Sequence, residues 1–408
     1  MAGLFGAIFR PKAEISSLTL EEFFRLNGAG AMAKSGVMVS PETALKYTTV
    51  LICVRVLAES VASLPCILYR RRADGGKERA TDHPLYQVLH DQANGWNTSF
   101  EYIEGQMTNL ALRGNGYAYV QRDPKSRTTA LVPLNPDSME IKQALDWSPI
   151  YTGTLPDNTR HKFKPSEIHH IRGPLPKGYV GQSMITLARE AIGLGLSAEA
   201  FGAHLYSNGI RSSGVLAHPG RIGPEAGTFM LEQFSKNFAG LENTGKPLLL
   251  EEGMTWVPMS ITPSDAEFID SRKFQRTEIA GIFRVPAHLV NDLEKATFSN
   301  IEEQTLQFVV HSIRPWLKRW EQAINRDLLH DAERGEYFAE FLLDDLLRGN
   351  TQTRYAAYAV AIQNKIMNAN EVRDRENMGP RAGGDVYENP AIQVKPKTTP
   401  TKPAADAA

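Results

Sequence analysis

The chain has 408 residues, 42% of them hydrophobic, so it can bury a substantial core and is long enough for two to four packed units. Its 45 Lys and Arg residues nearly balance 46 Asp and Glu residues. This excludes the large net positive charge of proteins that bind nucleic acid tightly and without sequence preference. No stretch reaches the roughly 18 uninterrupted apolar residues of a membrane span, and no signal peptide is visible at the start.

The two cysteines, Cys53 and Cys66, lie in apolar surroundings, and neither has a CxxC partner. A large chain with so few cysteines needs no disulfide framework. We expect both to be small buried hydrophobic residues of a protein made in a reducing cytoplasm.

The N-terminal segment, residues 1–40, is punctuated by glycines and small residues, and this predicts a flexible arm with little structure of its own. A helix is predicted over 41–64, with Ser40 as its N-cap and a proline in its first turn. It is apolar on most sides, which indicates burial on several faces. Arg55 and Glu59 are spaced to form an ion pair on this helix.

The following part of the chain predicts an α+β unit that ends near residue 175. Thr98 and Glu101 match a capping box, and Gly114 is suited to end the helix that they begin. The predicted apolar stripe of that helix consists of Phe100, Ile103, Met107, Leu110 and Ala111. Three alternating runs, GYAYVQRD, TTALVPL and SMEIKQ, then predict strands separated by turns.

Two long helices are predicted in the middle of the chain, at 182–208 and 263–284, the second with Ser264 as its N-cap. The first would span roughly 40 Å at about 1.5 Å per residue, which is long for a small globular domain. Between them lies a compact insert, with a helix near 224–238 and two short strands in KPLLLEEG and MTWVPMS.

A further helix is predicted from Ile301 to about Leu328, with a kink at Pro315 because proline removes a backbone hydrogen bond. Its apolar stripe comprises Leu306, Val309, Ile313, Trp316, Trp320, Ile324 and Leu328. A strand in EYFAEFLLD and a polar helical region at 350–376 follow. The tail, 385–408, is rich in Pro, Lys, Thr and Ala, and its composition predicts disorder.

One segment, GLENTGKP at 240–247, has the glycine and lysine spacing of a phosphate-binding loop. Pro247 replaces the Ser or Thr that would hold magnesium, and proline has no N–H to offer a phosphate. The predicted order, helix before and strand after, is also inverted. We interpret the segment as a simple turn.

A hydrolase is an alternative hypothesis that rests on Ser183, His169 and His170. Gly181-Gln-Ser183 approaches a nucleophile elbow, but Ile185 stands where the closing glycine should be, and Ser183 fits better as a helix cap. The two histidines lie in a predicted strand, EIHHIRG, where adjacent side chains point to opposite faces and could not easily share a metal. The sequence predicts no catalytic residue, metal ligand or cofactor.

Many short sequence segments, in a fixed order, resemble the sequences of the portal (head-to-tail connector) family of long-tailed bacteriophages. Among them are VLICVRVLAESVASLPCILYRR, LVPLNPDSMEI, EIHHIRG, GYVGQSMITLAREAI, SNGIRSSGVL, EIAGIFRVPAHLVND, FSNIEEQTLQFVVHSIRPWLKRWEQAINRDLL and LLRGNTQTRYAAYAVAIQNKIMNANEVRDRENMGPRAGGD. The resemblance covers 41–385. Two departures are Arg284, where the family often has glycine, and Phe298, where tyrosine is common.

The resemblance implies a portal-like α+β subunit, with an α/β wing, long stem helices, a small α/β clip and a helical crown, that closes into a ring. Its implied parts are the arm (1–40), wing (41–180 and, with a kinked helix, 300–349), stem helices (181–209 and 263–284), clip (210–262), tunnel loop (285–299), crown (350–384) and disordered tail (385–408).

The resemblance also implies which residues meet DNA and neighbouring subunits. The tunnel-loop candidates are Val290, Asn291, Asp292, Leu293, Glu294 and Lys295. Mixed charge in this loop suits sliding of DNA better than a basic groove would, although the same charges are also typical of an ordinary solvated loop. On the second stem helix, Arg272, Lys273 and Arg276 could pair with acids of neighbouring subunits, which we favour slightly, or face phosphates.

The function implied is a non-enzymatic ring of twelve copies, set at one capsid vertex of the virion after assembly in the bacterial cytoplasm. Double-stranded DNA would pass through the ring during packaging and ejection. The implied partners are the terminase large subunit, a head-tail adaptor, and the major capsid or scaffolding protein, with no membrane. A virion adaptor or minor capsid protein that forms no ring is the alternative beside the hydrolase.

Overall fold

The computed structural model describes residues 31–73, 75–155, 158–208, 214–220, 222–238, 253–258, 265–292, 298–343, 351–376 and 378–387. They belong to two compact units, the first ending at Leu342 and the second beginning at Leu343. The first is a mixed helix and sheet structure, as predicted, and its described strand pairs are all antiparallel.

Strands β1 (Ala31–Met32) and β2 (Met38–Val39) form a small hairpin. The chain turns at Gly36, whose φ of 80° suits glycine. The backbone N–H of Lys34 donates to a Glu190 carboxylate oxygen at 2.8 Å. The prediction of an arm without structure is therefore wrong for its last ten residues, while residues 1–30 lie outside the described part.

The first predicted helix is divided into α1 (Pro41–Ala44) and α2 (Thr48–Ala62). Ser40 caps α1 as predicted, with its side chain accepting from the Thr43 N–H at 3.1 Å. The division arises at Tyr47, which has an extended backbone and buries its ring where only a glycine, Gly195, leaves room. The predicted ion pair between Arg55 and Glu59 forms at 2.8 Å.

A three-stranded sheet joins distant parts of the chain. Strand β3 (Cys66–Arg71) lies between β4 (Lys77–Arg79) and β13 (Tyr337–Phe341), with Cys66 opposite Phe341. Helix α3 (Pro84–His90) packs against β3. The strand in EYFAEFLLD is therefore confirmed, although its partner strand was not predicted.

Helix α4 (Ser99–Arg113) begins and ends as predicted. Thr98 and Glu101 form the reciprocal capping box, and Gly114 adopts a left-handed conformation with a φ of 76°. The predicted stripe is wrong at Phe100, which is 43% exposed. Tyr102 and Gln106 occupy buried positions instead, on the side of α4 that packs in the core.

We expect the substitution Thr98→Ala to lower the free energy of unfolding by about 1 kcal/mol, because the Glu101 N–H loses its acceptor at the helix start. Thr108→Ala on the same helix is the matched control: its hydroxyl bonds only back to Glu104 O, and alanine is the better helix former. Urea denaturation of both variants checks the prediction. Equal losses in the two would contradict it.

The strands between residues 115 and 172 form two three-stranded sheets. Strand β5 (Asn115–Arg122) lies between β6 (Thr128–Leu134) and β10 (Ile168–Arg172). All three segments were predicted as strands, but their order in the sheet was not predicted. A second sheet has the order β7 (Met139–Gln143), β8 (Pro149–Thr154) and β9 (Arg160–Phe163). A cluster of buried residues connects the two sheets: Tyr117, Tyr151, Phe163 and Ile168.

The first long helix is also divided, into α5 (Met184–Leu187) and α6 (Arg189–Asn208). The second is α8 (Asp265–Phe283), which packs against both α2 and α6. Between them, β11 (Gly214–Ala217) and β12 (Thr255–Pro258) pair, and α7 (Pro224–Phe238) matches the predicted helix. Ser264 and the strand predicted in KPLLLEEG lie outside the described residues.

The predicted kink near Pro315 takes the form of a π-helical turn, Val309–Ile313, between α9 (Phe298–Phe308) and α10 (Arg314–Asp327). Pro315 directly follows the π-helical turn, as the second residue of α10, and its missing N–H removes one backbone hydrogen bond there. Helix α10 packs against β10 and β13 and buries Trp320. Leu306 of the predicted stripe is exposed instead.

The second unit contains α11 (Thr351–Gln363) and α12 (Ala369–Arg375), where one helical region was predicted. The chain turns between them at Lys365, whose φ is 59°. Asn368 caps α12, and Arg354 contacts Glu376 at 2.7 Å. Among the described helices, none is long and apolar enough to cross a bilayer.

Candidate functional site

The predicted tunnel loop is partly described, and its residues differ in exposure. A 3-10 turn, Ala287–Val290, follows α8, and Val290 is only 1% exposed. Asn291 is exposed in a left-handed conformation, and the Asp292 carboxylate accepts a hydrogen bond from the Thr277 hydroxyl at 3.1 Å. Leu293, Glu294 and Lys295 lie outside the described residues. Val290 therefore packs inside the subunit, while Asn291 and Asp292 are accessible.

The charged residues predicted on the second stem helix lie on α8. Arg272 and Arg276 line a cavity of about 260 Å³ where α2, α6, α8 and the 3-10 turn meet. Lys273, between them in sequence, is half-buried. Arg272 forms an ion pair with Glu199 of α6 at 3.1 Å. The cavity wall also contains Tyr47, Thr48, Thr49, Ile52, Val290 and Asn291.

His169 and His170 are both buried on β10 and contact different partners, as their alternation predicted. His169 Nδ1 lies 3.2 Å from an Asp327 carboxylate oxygen. His170 Nε2 lies 3.2 Å from Asn115 Oδ1, and its Nδ1 lies 3.2 Å from the Tyr151 hydroxyl. Because Asn115 Oδ1 can only accept, these distances fit a neutral His170 that donates from Nε2 and accepts from Tyr151.

The electrostatics around this pair are set by burial and by two arginines. Burial, with the nearby positive charges of Arg172 and Arg326, lowers the pKa of His170 to about 3. Burial would raise the pKa of Asp327, but hydrogen bonds from Arg326 and His169 outweigh it and lower that pKa to about 2. The neutral His170 ring thus bonds to β5 and β8, while the ionised Asp327 carboxylate joins the end of α10 to β10 through the His169 ring and the His170 N–H. Both residues hold the fold together.

The chemical alternatives find little support in the described residues. Ser183 caps α5: its oxygen accepts from the Thr186 N–H at 3.1 Å, and its hydroxyl donates to Leu112 O at 2.6 Å. Cys53 and Cys66 are free and buried, and burial raises the pKa of the Cys53 thiol to about 12. Within the described ranges, no three His, Cys, Asp or Glu side chains are grouped to hold a metal. The turn predicted at 240–247 lies outside those ranges.

Comparison with known families gives a match that spans most of the chain. The family model described as "Phage portal protein" matches residues 48–377. The chain belongs to the phage portal protein family. The match confirms the resemblance to the portal family that the sequence segments indicated.

Two curated relatives of this portal-family chain are similar over most of their length. The "Portal protein" of Enterobacteria phage HK97 is 32% identical over 351 residues, which cover 85% of this chain and 82% of that protein. The "Probable portal protein" of Streptomyces phage phiC31 is 31% identical over 376 residues, covering 87% and 79% respectively.

Among solved structures, a chain from "Neck of native GTA particle computed with C12 symmetry" has a similar fold, GTA being a gene transfer agent. It aligns with a TM-score of 0.57 at 23% identity, and the alignment covers 88% of this chain and 99% of that one. The mixed helix and sheet structure of the portal-family chain is therefore shared with a protein of a particle neck.

Several residues that organise this portal-family chain were missed from the sequence. Asn115 bridges three segments: its side chain bonds His170 and both the N–H and the carbonyl of Gly181. The Asp327 carboxylate accepts a hydrogen bond from the backbone N–H of His170 at 3.0 Å. Glu199 was likewise not predicted to pair with Arg272. Asn115 lies between two glycines and Asp327 follows Asn325 and Arg326, so neither interrupts an apolar pattern that would have marked it in the sequence.

Proposed function

We propose that this chain is a portal subunit of a tailed bacteriophage that assembles into a ring and acts without catalysis. Membership of the portal family across 48–377 is the observation that carries the proposal. The likeness to a neck protein in a structure computed with C12 symmetry supports a twelve-membered ring. Double-stranded DNA would pass through the ring during packaging and ejection, at the portal vertex of a virion assembled in the bacterial cytoplasm.

The parts of the fold have proposed roles in that ring. The sheets and α10 form the wing, α6 and α8 form the stem, and the paired β11 and β12 with α7 belong to the clip. The contact between α6 and α8 supports a stem made of two packed helices. The clip would dock first the terminase large subunit and then a head-tail adaptor. The wing would meet the major capsid or scaffolding protein, and α11 and α12 would form the crown.

The proposed channel surface is the loop that follows α8. Asn291 and Asp292 are its accessible described residues, and Leu293, Glu294 and Lys295 extend it in sequence. Asp292 and Glu294 oppose the charge of Lys295, so the loop would position a polyanion without the phosphate neutralisation that produces tight binding. We leave Val290 out of this surface because it is buried.

Electron microscopy with negative stain, combined with native mass determination, tests the proposal. We expect closed rings with a central hole and a mass near twelve subunits of 45.2 kDa each, about 540 kDa. The rings should persist across a range of protein concentrations at moderate salt. A compact monomer at every salt and protein concentration would contradict the ring, and would favour an adaptor or minor capsid protein.

A further inference from the structure

Among the described residues in its wall, the cavity beside α8 has more positive than negative charge. They include two guanidinium groups, Arg272 and Arg276, and one carboxylate, Glu199. Glu199 is already paired with Arg272 at 3.1 Å. Arg276 is half-buried and has neither an ion pair nor a hydrogen bond with any residue in the described part of the chain. A partly buried guanidinium is stabilised by a carboxylate or phosphate, so the cavity fits an anionic group.

The rest of the cavity wall is mixed rather than uniformly polar. Tyr47, Ile52 and Val290 provide apolar surface, and Thr48 and Thr49 provide hydroxyl groups at the start of α2. The side chains of Thr48, Arg272 and Asn291 are exposed, so the cavity opens to solvent there. With a volume of about 260 Å³, it can hold an amino-acid side chain with apolar stem and charged end.

The opposite side of α8 carries the complementary groups. Glu278 is exposed, and the Phe274 ring on the same side is 70% exposed. At 3.6 residues per turn, Glu278 lies about 200° around the helix from Arg276. Helix α8 therefore has a cationic cavity on one side and an acidic, aromatic surface on the other.

We propose that the cavity of one subunit binds the Glu278 carboxylate of a second copy of this chain. The inference rests on the proposed ring. A ring needs a head-to-tail contact between two different faces of each subunit, and the opposite sides of α8 supply two faces of opposite charge. The Glu278 carboxylate pairs with Arg276, and Phe274 of the same copy covers the mouth of the cavity.

Charge exchange between the two positions tests the pairing. We expect Arg276→Glu and Glu278→Arg, each alone, to raise the protein concentration at which half of the chain is assembled by about tenfold or more, because each places like charges together. The double variant R276E/E278R should restore assembly to within about threefold of the wild type. Native mass spectrometry over a dilution series measures all three.

Matched controls separate pairing from misfolding. Arg55→Glu reverses the charge of an exposed helical arginine that is not among the residues of the cavity wall, and should leave assembly unchanged although it removes the ion pair with Glu59. Circular dichroism melts should show each monomeric variant folded. If Glu278→Arg assembles like the wild type while Arg276→Glu does not, the cavity binds another anion, such as a DNA phosphate, and the pairing is wrong. No rescue in the double variant would also overturn it.

The same experiment keeps the two proposals apart. If the wild-type chain forms no ring at any concentration, the proposed function fails. If the wild type forms rings and both single variants form them equally well, only the pairing of Arg276 with Glu278 fails.

Discussion

Replacing Gly181 with alanine is expected to lower the free energy of unfolding by about 3 kcal/mol or more, the upper end of what overpacking costs. A Cβ at this position would lie 2.2 Å from Gly114 O and 2.5 Å from Gly173 N. Both are backbone atoms that cannot rotate away. Gly114, Gly173 and Gly181 bring three segments into contact, and the Gly173 N–H donates to Gly114 O at 2.8 Å.

Gly105→Ala is the matched control for this prediction. Gly105 is exposed within α4, and a Cβ there would meet no atom within 4 Å. Because alanine is the better helix former, we expect a gain of about 0.5 to 1 kcal/mol. Equilibrium denaturation of the two variants checks the pair of predictions. A Gly181→Ala variant as stable as the wild type would show that the three segments separate easily.

Acidification from pH 7 to pH 4 is expected to lower the free energy of unfolding by about 3 kcal/mol through His170 alone. The pKa of His170 is about 3 in the folded chain, compared with an ordinary value of 6.5. The unfolded chain therefore binds a proton that the folded chain rejects. The stability is fully present above pH 6.5 and is lost as the pH falls from there towards 3.

Asp327 adds to the same trend at lower pH. Its pKa is about 2 in the folded chain, compared with an ordinary value of 3.8, so the folded chain prefers the charged form. This stability is present above pH 3.8 and disappears as the pH falls towards 2. Between pH 6.5 and pH 4, His170 therefore dominates.

The variant His170→Gln tests the assignment, because glutamine can still donate to Asn115 but does not titrate. We expect the variant to be less stable at pH 7 and to lose much less stability than the wild type between pH 6.5 and pH 4. His90→Gln, which replaces a surface histidine, is the control and should keep the pH dependence of the wild type. Thermal melts over this pH range measure both, and parallel curves for all three proteins would refute the role of His170.

Features encoded within a few residues were predictable from the sequence. The Thr98 capping box and the Gly114 helix end depend on residues three or four positions apart, and the structure contains both. The break at Tyr47 was not predictable, because it depends on a ring that packs against Gly195 far along the chain. Gly181 likewise looked like part of a nucleophile elbow, whereas its small size serves the contact with Gly114.

In the candidate site, too, the positions of charges along one helix could be predicted, whereas their contacts with distant segments could not. The sequence identified Arg272 and Arg276 as charges on a helix, one turn apart. It could not show that Glu199, 73 residues before Arg272, forms an ion pair with Arg272. Nor could it show that Arg276 lines the cavity without such a partner among the described residues. It also placed Val290 with the exposed loop, because burial of a single apolar residue in a turn depends on the helices packed around it.

The pairing of β3 with β13 has a consequence for the time at which the first unit can fold. Arg70 and Tyr337, neighbours in this sheet, are 267 positions apart. At about 5 to 20 residues per second, a ribosome needs roughly 15 to 50 seconds between making the one and the other. Throughout that interval one edge of β3 lacks its final neighbour, while α3 and β4, which pack against β3 in the folded unit, have already been made. Pairing along this edge must wait until synthesis reaches Phe341.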